Sequence, residues 1–373
     1  MSANLPGDPL WVRRPPIEVL IVDDSAVVRQ RLKGIIEADP AFRVSLAADP
    51  YEAVALLRRS VPGVIVLDVE MPRMDGLTFL KKLMGQHPLP VVLCTSIADR
   101  ALHALELGAI EVIAKPDWRS SEALDAWSIN FMDSLRNAAR AGVPKSGEDR
   151  FDQPESRLPA DAILPRQAYR PRPGEFEPIV SIGVSTGGVQ AIPVLLRGFA
   201  PGCPGIVIVQ HMPPEFTRAF ADRLNNDPAI AIEVAEATPN ETIRPGRALV
   251  IPGDLHGLVR RSGVGYRVEL VEGEKVCRHR PSVEVLFRST AQAAGQHAAG
   301  VILTGMGDDG AGGLLEMREA GAFTIAQDEA TCTVFGMPRE AIRRGAVQVV
   351  RPLPLIAATV MAWALGPDNS SRH

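Results

Sequence analysis

Short apolar runs recur along this chain, and most of them end in charged or hydroxyl residues before an amphipathic stretch begins. In the N-terminal part the runs are Ile17 to Val22, Val64 to Leu67, Val91 to Leu93 and Ile110 to Ala114. Runs of this length are typical of buried parallel strands that have helices on both faces. Ser25 and Asp49 stand where N-caps of two such helices are expected. The pattern therefore predicts an α/β fold built on parallel sheets.

A proline-rich segment divides the chain. Prolines at positions 144, 154, 159, 165, 171 and 173 alternate with charged residues, and apolar periodicity is absent there. Because proline fixes φ and lacks an N–H donor, the segment is expected to be an extended linker. The predicted organisation is an N-terminal tail (1–16), a first domain (17–140), the linker (141–176), a second domain (177–366) and a C-terminal tail (367–373).

The composition narrows the possible function classes. Lys plus Arg number 40 and Asp plus Glu 44, a net charge of −4, which argues against nucleic-acid binding because that needs a basic face. The four cysteines stand apart, without a Cys-x-x-Cys pair, so neither a disulfide framework nor a zinc site is expected. The apolar run from Leu353 to Leu365 is too short to cross a bilayer, and the first residues lack the apolar core of a signal peptide, so none is expected. We expect a cytoplasmic protein that does not insert into membranes.

Polar residues at the ends of the N-terminal runs predict a first functional site. These residues are Asp23, Asp24, Asp68, Thr95 and Lys115. Ligands of parallel sheets bind at the carboxyl ends of the strands, where carboxylates repel one another unless a hard cation such as Mg²⁺ lies among them. A lysine and a hydroxyl at the same edge suit a carboxylate that accepts a phosphoryl group. Each acid alone is typical of a loop or helix cap, but the set favours a phosphoacceptor pocket.

The segment LDVEMPRMDG, residues 67–76, resembles the phosphoacceptor segment of response regulator receiver domains, and the resemblance covers residues 17–140. It implies a flavodoxin-like, doubly wound parallel sheet. The implied site residues are the phosphoacceptor Asp68, the Mg²⁺ ligands Asp23, Asp24 and Asp68, and the phosphoryl contacts Thr95 and Lys115. Receivers often carry an aromatic switch residue three positions before the lysine, and Val112 replaces it here.

A second set of polar residues ends the apolar runs of the C-terminal part. Ser185 follows the run at 179–183 in a glycine-rich turn, His211 follows the run at 206–209, and Asp308 and Asp309 follow the run at 301–303. A glycine-rich turn alone is typical of a nucleophile elbow, a phosphate cradle or simple loop packing. A histidine that accepts the serine proton and an aspartate behind it favour a serine hydrolase. This chemistry leaves the choice between Asp308 and Asp309 open.

Five segments resemble the CheB family of chemoreceptor methylesterases. They are GVSTGG (183–188), QHMP (210–213), HRPSVEVLF (279–287), TGMGDDG (304–310) and TCTVFGMP (331–338). The resemblance covers residues 178–365 and implies an α/β Rossmann-like hydrolase domain that needs no cofactor. The implied site residues are the nucleophile Ser185, the base His211, the acid Asp309, and Thr186 and Met306 at the oxyanion and substrate position.

The resemblance also implies a function. It is phosphorylation-regulated hydrolysis of glutamate γ-methyl esters on chemoreceptors, with release of methanol, and deamidation of receptor glutamines during chemotaxis adaptation. The implied partners are methyl-accepting chemoreceptors as substrates and a chemotaxis histidine kinase as phosphodonor. The receiver is expected to cover the hydrolase cleft until it is phosphorylated.

Three alternatives belong to other classes. A non-catalytic phospho-switch adaptor would keep the fold without the chemistry. A DNA-binding response regulator would need a basic recognition helix after the linker, and none is evident. A dinucleotide site at 183–188 would need an acid where Gln210 and His211 stand.

Two further histidines have other interpretations. His256, in a turn-rich segment, is either a cleft residue or a solvated loop histidine. His279 and Arg280 precede a predicted helix and are expected to present charge to an acidic substrate.

Overall fold

The computed structural model describes residues 15–72, 74–95, 97–116, 118, 120–141, 158–170 and 176–366. Three predicted segments fall wholly or partly outside these residues: positions 1–14 of the N-terminal tail, 142–157 and 171–175 of the linker, and the C-terminal tail 367–373. The predicted domain limits stay predictions.

Five strands form the first sheet, in the order β2-β1-β3-β4-β5. They are β1 (Ile17–Val22), β2 (Phe42–Ala47), β3 (Val64–Leu67), β4 (Val91–Cys94) and β5 (Glu111–Ile113). Strand β1 pairs in parallel with both β2 and β3. This is the flavodoxin-like order, so the predicted doubly wound fold is confirmed. The sequence analysis missed β2, an edge strand that mixes buried and partly exposed positions instead of forming an apolar run.

Five helices accompany this sheet. They are α1 (Ala26–Glu37), α2 (Pro50–Leu57), α3 (Gly76–Gln86), α4 (Ala98–Glu106) and α5 (Ser121–Ala141). The Ser25 hydroxyl accepts a hydrogen bond from the Val28 N–H at 3.4 Å. Asp49 Oδ1 accepts from the N–H groups of Tyr51 and Glu52, both at 2.9 Å. Both predicted N-caps are confirmed, and each satisfies N–H groups that have no partner within the helix.

Seven strands form the second sheet, in the order β15-β14-β13-β6-β7-β10-β8. They are β6 (Ile179–Val184), β7 (Gly205–Gln210), β8 (Glu233–Glu236), β10 (Arg247–Val250), β13 (Ala298–Ile302), β14 (Phe323–Gln327) and β15 (Val349–Arg351). All neighbouring strands run parallel. The carboxyl ends of β13, β6 and β7 therefore lie side by side at one edge, and the turns that follow them carry the predicted catalytic residues.

A small antiparallel sheet, which the sequence analysis missed, lies beside the second sheet. Its strands are β9 (Thr242–Ile243), β11 (His256–Ser262) and β12 (Gly265–Val271), in the order β11-β12-β9. Gly263, with φ of +63°, makes the tight turn between β11 and β12. The Val259 N–H of β11 donates to the Ser289 hydroxyl at 2.9 Å, which ties this sheet to the helix that carries Ser289.

Six α-helices lie among the described residues of this part of the chain. They are α6 (Gly188–Leu196), α7 (Pro214–Asn225), α8 (Val283–Ala294), α9 (Ala311–Glu319), α10 (Met337–Arg343) and α11 (Leu353–Leu365). The core includes Leu286 and Phe287 of α8 together with Leu314 and Met317 of α9, all fully buried. Within the residues that the structure describes, no helix combines the length and the apolar composition needed to cross a membrane.

Part of the predicted linker packs against the second domain. Leu164 is 6% exposed and lies in a small core with Val276 and Val285. Arg288 of α8, itself 6% exposed, donates to the Leu164 carbonyl at 3.0 Å and pairs with Asp161 at 3.1 Å. Residues 158–170 are therefore not the extended spacer that the prolines predict. The sequence analysis missed this packing because isolated apolar residues give no periodic signal.

Candidate functional site

Ser185 lies in the tight turn between β6 and α6. Gly187 has φ of +84°, and a Cβ there would stand 2.4 Å from Thr333 Oγ1. A Cβ on Gly188 would stand 1.9 Å from Gln210 Oε1. Only glycine fits both positions, because neighbouring side chains come within contact of the backbone. The turn leaves the Ser185 side chain half-buried.

His211, which follows β7, connects the serine to a carboxylate. Its Nδ1 atom lies 3.0 Å from Ser185 Oγ, and its Nε2 atom lies 2.7 Å from Asp309 Oδ2. In the tautomer that carries its proton on Nε2, this N–H donates a hydrogen bond to the carboxylate. The lone pair on Nδ1 then faces the Ser185 hydroxyl. This arrangement can remove the serine proton as a bond forms at Oγ.

Asp309 is 1% exposed and is held by the beginning of α8. It accepts hydrogen bonds from the Ser282 hydroxyl at 2.8 Å and from the N–H groups of Val283 and Glu284 at 2.8 and 2.9 Å. Burial alone would raise the pKa of Asp309. The hydrogen bond and charge of His211, with the Glu284 N–H, outweigh burial and hold the pKa below its usual range. Asp309 is therefore suited to stabilise a protonated His211.

The neighbouring acid has a different partner. Asp308 Oδ2 accepts from Arg344 at 2.7 Å, whereas Asp309 contacts His211. Successive residues of a loop direct their side chains apart, so one of the two acids meets the imidazole. Asp309, and not Asp308, is therefore the acid that contacts His211, and its catalytic role stays a prediction.

Gln210, which the sequence analysis did not single out, connects the nucleophile segment to the base segment. It is 3% exposed, and its Nε2 donates to the carbonyls of Ser185 and His211 at 3.1 and 3.0 Å. The amide thereby fixes the spacing of the two backbones. The feature of the sequence that could have indicated this role is the position of Gln210 at the end of β7, directly before His211.

The two remaining histidines near this site differ from their expected settings. His279 stacks on His211, with ring centroids 3.6 Å apart and an interplanar angle of 10°. Burial, with the adjacent His211, lowers the pKa of His279 to about 3, which favours a neutral ring over the expected charge. His256 is fully buried, and its Nδ1 accepts from the Ser282 N–H at 3.3 Å. The solvated-loop interpretation of His256 is therefore wrong, and the residue supports the start of α8.

Thr186 and Met306, predicted near the oxyanion, lie in the turns after β6 and β13. Thr186 is buried, and its carbonyl accepts from Thr304 Oγ1 at 2.9 Å. Among the described residues, no acceptor is found for the N–H group of Thr186 or of Met306. Both N–H groups are thus available to a ligand oxygen, as an oxyanion hole requires.

The acidic residues of the first sheet form a second cluster. Oxygen atoms of Asp23, Asp24 and Asp68 all lie within 4.8 Å of one another. Asp23 and Asp68 are 2% and 3% exposed, whereas Asp24 is exposed. Three carboxylates at this distance repel one another, and a divalent cation that prefers oxygen ligands offsets the repulsion. The donor set fits Mg²⁺.

Thr95 and Lys115 follow β4 and β5 in the same sheet. Thr95 is fully buried, and its carbonyl accepts from the Lys115 N–H at 3.3 Å. These two strand ends belong to the same sheet as the ends of β1 and β3, which precede Asp23 and Asp68. Val112, 6% exposed within β5, fills the position of the usual aromatic switch.

Comparisons with known proteins agree on both parts of the chain. The family described as CheB methylesterase matches residues 180–360, and the response regulator receiver domain matches residues 19–124. Protein-glutamate methylesterase/protein-glutamine glutaminase 5 of Anaeromyxobacter dehalogenans is 53% identical over 91% of this chain and 95% of its own. Protein-glutamate methylesterase/protein-glutamine glutaminase 2 of Oleidesulfovibrio alaskensis is 51% identical over 92% of this chain and 98% of its own.

Among solved structures, the chain is similar to the CheB methylesterase catalytic domain of Thermotoga maritima. The identity is 35%, the TM-score is 0.48, and the match covers 50% of this chain and 97% of that one.

Proposed function

This chain belongs to the CheB methylesterase family and carries a response regulator receiver domain, and on that premise we propose a phosphorylation-regulated serine hydrolase of chemotaxis adaptation. It hydrolyses glutamate γ-methyl esters on chemoreceptors to the carboxylate and methanol, and it deamidates receptor glutamines. The name shared by the relatives supports both activities. The observation that carries the proposal is the hydrogen-bonded chain from Ser185 through His211 to Asp309.

The first half of the reaction forms an acyl-enzyme. Ser185 Oγ attacks the ester carbonyl carbon while its proton passes to His211 Nδ1, and Asp309 stabilises the resulting imidazolium. The C–O bond to the methoxy group then breaks, and His211 returns the proton to the departing oxygen, which leaves as methanol. A receptor glutamine follows the same path and releases ammonia.

The second half regenerates the serine. Water attacks the acyl carbon, His211 takes up its proton and passes it to Ser185 Oγ, and a receptor glutamate is released. Negative charge develops on the carbonyl oxygen in both halves. We assign its stabilisation to the N–H groups of Thr186 and Met306, whose lack of acceptors among the described residues supports the assignment.

In the receiver, we propose that Asp68 is the phosphoacceptor. A carboxylate oxygen of Asp68 forms the new bond to phosphorus as the donor's leaving group departs. Asp23, Asp24 and Asp68 would hold Mg²⁺, and the bound ion would neutralise charge on the transferred phosphoryl group. Thr95 donates a hydrogen bond to a phosphoryl oxygen, and Lys115 pairs with another. The crowding of the three carboxylates supports this assignment.

The proposed partners follow from the two chemistries. Methyl-accepting chemoreceptors supply the esters and amides, and a chemotaxis histidine kinase supplies the phosphoryl group. Both reactions are proposed to take place in the cytoplasm. Phosphorylation of Asp68 is proposed to raise the hydrolase rate by relieving inhibition by the receiver.

The test is methanol release from methylated chemoreceptor by the full chain, with and without a small-molecule phosphodonor and Mg²⁺. We expect turnover that increases with the phosphodonor and is lost in Ser185→Ala. An adaptor without catalytic activity would release no methanol under any condition, and that result would overturn the proposal.

A further inference from the structure

Two carboxylates accept hydrogen bonds from backbone N–H groups at the beginnings of α8 and α9. Asp309, just before α9, accepts from the N–H groups of Val283 and Glu284 at the start of α8. Glu284 Oε2 in turn accepts from the N–H groups of Gly310 and Gly312, each at 3.1 Å. Each carboxylate thus satisfies N–H groups at the start of the other helix, where the helix dipole also favours negative charge.

The two helices are so close here that the Glu284 side chain has little freedom. A Cβ on Gly312 would lie 2.4 Å from Glu284 Oε1, and a Cβ on Gly313 would lie 2.7 Å from the Glu284 carbonyl. Gly310 connects Asp309 to α9 with φ of +89°, a conformation that other residues rarely adopt. Any shift of the Glu284 carboxylate therefore moves the backbone of the residue next to Asp309.

We propose that Glu284 is a positioning residue for Asp309: its carboxylate fixes the backbone of residues 310–312 and adds a second negative charge behind His211. This inference rests on the proposed hydrolase function. Glu284 does not touch the reacting atoms, and it acts through the orientation of Asp309 and the stability of the protonated imidazole. Loss of its hydrogen bonds lowers kcat, and loss of its charge disfavours protonation of His211.

The groups around Glu284 determine when it is charged. Burial raises the pKa of Glu284 to about 7, and the like charges of Asp309 and Glu316 act in the same direction. Arg288, on the next turn of α8, opposes them. The Cys277 sulfur lies within 4.8 Å of carboxylate oxygens of both Glu284 and Asp309. Above about pH 7, Glu284 is therefore an anion next to Asp309, and the titrations of the residues in this cluster are coupled.

Three variants of the full chain separate position from charge. Glu284→Gln removes the charge, and Glu284→Asp keeps the charge but shortens the reach to Gly310 and Gly312. Glu316→Gln is the matched control, because Glu316 of α9 also bonds across to α8, where its carboxylate accepts from Arg288 at 2.7 Å. Methanol release from methylated receptor gives kcat, KM and the pH profile of kcat/KM, and thermal unfolding shows whether each variant folds.

We expect Glu284→Gln to lower kcat about 10- to 100-fold with little change in KM, because a misplaced catalytic group costs that much. The acid limb of its kcat/KM profile should move to lower pH by less than about one unit, because a nearby charge shifts a titration by roughly that amount and Glu284 is an anion only above about pH 7. Glu284→Asp should lower kcat without moving the limb. Glu316→Gln should stay within about twofold of wild type in kcat.

Two results would overturn the inference. One is a folded Glu284→Gln protein with wild-type kcat and an unmoved acid limb. The other is a Glu316→Gln protein with the same loss of kcat as Glu284→Gln, which would show that stability of the α8–α9 contact, and not the position of Asp309, is affected. Absence of esterase activity in the wild-type chain would instead refute the proposed function, so the two failures are distinguishable.

Discussion

The hydrolase site and the acidic cluster of the receiver both place buried carboxylates at the carboxyl ends of parallel strands, but the groups that surround the negative charge differ. Around Asp309, the chain itself supplies donors: His211, the Ser282 hydroxyl and two N–H groups of α8. In the receiver, Asp23 accepts from the Ser25 N–H at 2.8 Å and Asp68 from the Glu70 N–H at 3.3 Å, but oxygen atoms of these two acids and of Asp24 also lie within 4.8 Å of one another.

This difference shows what each site depends on. The fold itself supplies the donors around Asp309, so this carboxylate is stabilised without help from a bound ligand, and such preorganisation is what electrostatic catalysis requires. The receiver cluster concentrates negative charge, which makes it sensitive to a cation and to a phosphoryl group. Neutralising a carboxylate should therefore destabilise the first site and stabilise the second.

The largest effect is expected at the nucleophile. Ser185→Ala should lower kcat for methanol release by on the order of 10⁴- to 10⁶-fold, because the covalent path is lost. The melting temperature should stay near that of wild type, since the hydroxyl is half-buried and accessible. Ser262→Ala, an exposed serine at the end of β11, is the control and should keep full activity. Turnover in Ser185→Ala equal to that of wild type would refute the nucleophile assignment.

The next effect distinguishes the adjacent acids. Asp309→Asn should lower kcat by about 10⁴-fold, because the amide cannot stabilise the imidazolium or fix its tautomer. It should also lower the melting temperature, since N–H donors of α8 lose a charged acceptor. Asp308→Asn removes a partner of Arg344 and should have a small effect on kcat. The opposite order of the two variants in the same methanol assay would reverse the assignment.

The receiver cluster should respond in the other direction. Asp68→Asn should keep basal methanol release but abolish its increase by phosphodonor. The variant should also raise the melting temperature of the receiver by about 2–4 °C for each kcal/mol of repulsion relieved. Mg²⁺ should raise the melting temperature of wild type more than that of the variant, because a cation that binds the native state stabilises it. A lower melting temperature for Asp68→Asn would contradict the contrast between the two sites.

The smallest effect concerns acid stability of the hydrolase site. The pKa of His279 falls from 6.5 to about 3 on folding, chiefly through burial. The unfolded chain therefore binds more protons between these values, and stability is lost as the pH falls below about 6.5. His279→Gln should reduce the difference in melting temperature between pH 7 and pH 5. An unchanged difference would indicate that other groups dominate acid unfolding.

The sequence alone predicted the fold class and the positions of the central strands. Buried strands such as β3 and β4 are continuous apolar runs, and burial on both faces of a parallel sheet favours that pattern. The N-caps at Ser25 and Asp49 were predictable because capping is a local interaction. The residue types at the strand ends also indicated which chemistry the two sites support.

The tertiary structure decided what depends on contacts between distant segments. The hydrophobic periodicity of the sequence does not reveal edge strands such as β2 or the packing of residues 158–170 against α8. It also does not reveal the hydrogen bonds by which Gln210 connects the Ser185 and His211 carbonyls. The stacking of His279 on His211 and the reciprocal bonds of Glu284 and Asp309 join residues far apart in sequence. The pKa values of His279, Glu284 and Asp309 follow from burial and from neighbouring charges, which exist only once the chain has folded. Local sequence determines local hydrogen bonds and periodicity, but it does not determine which segments meet.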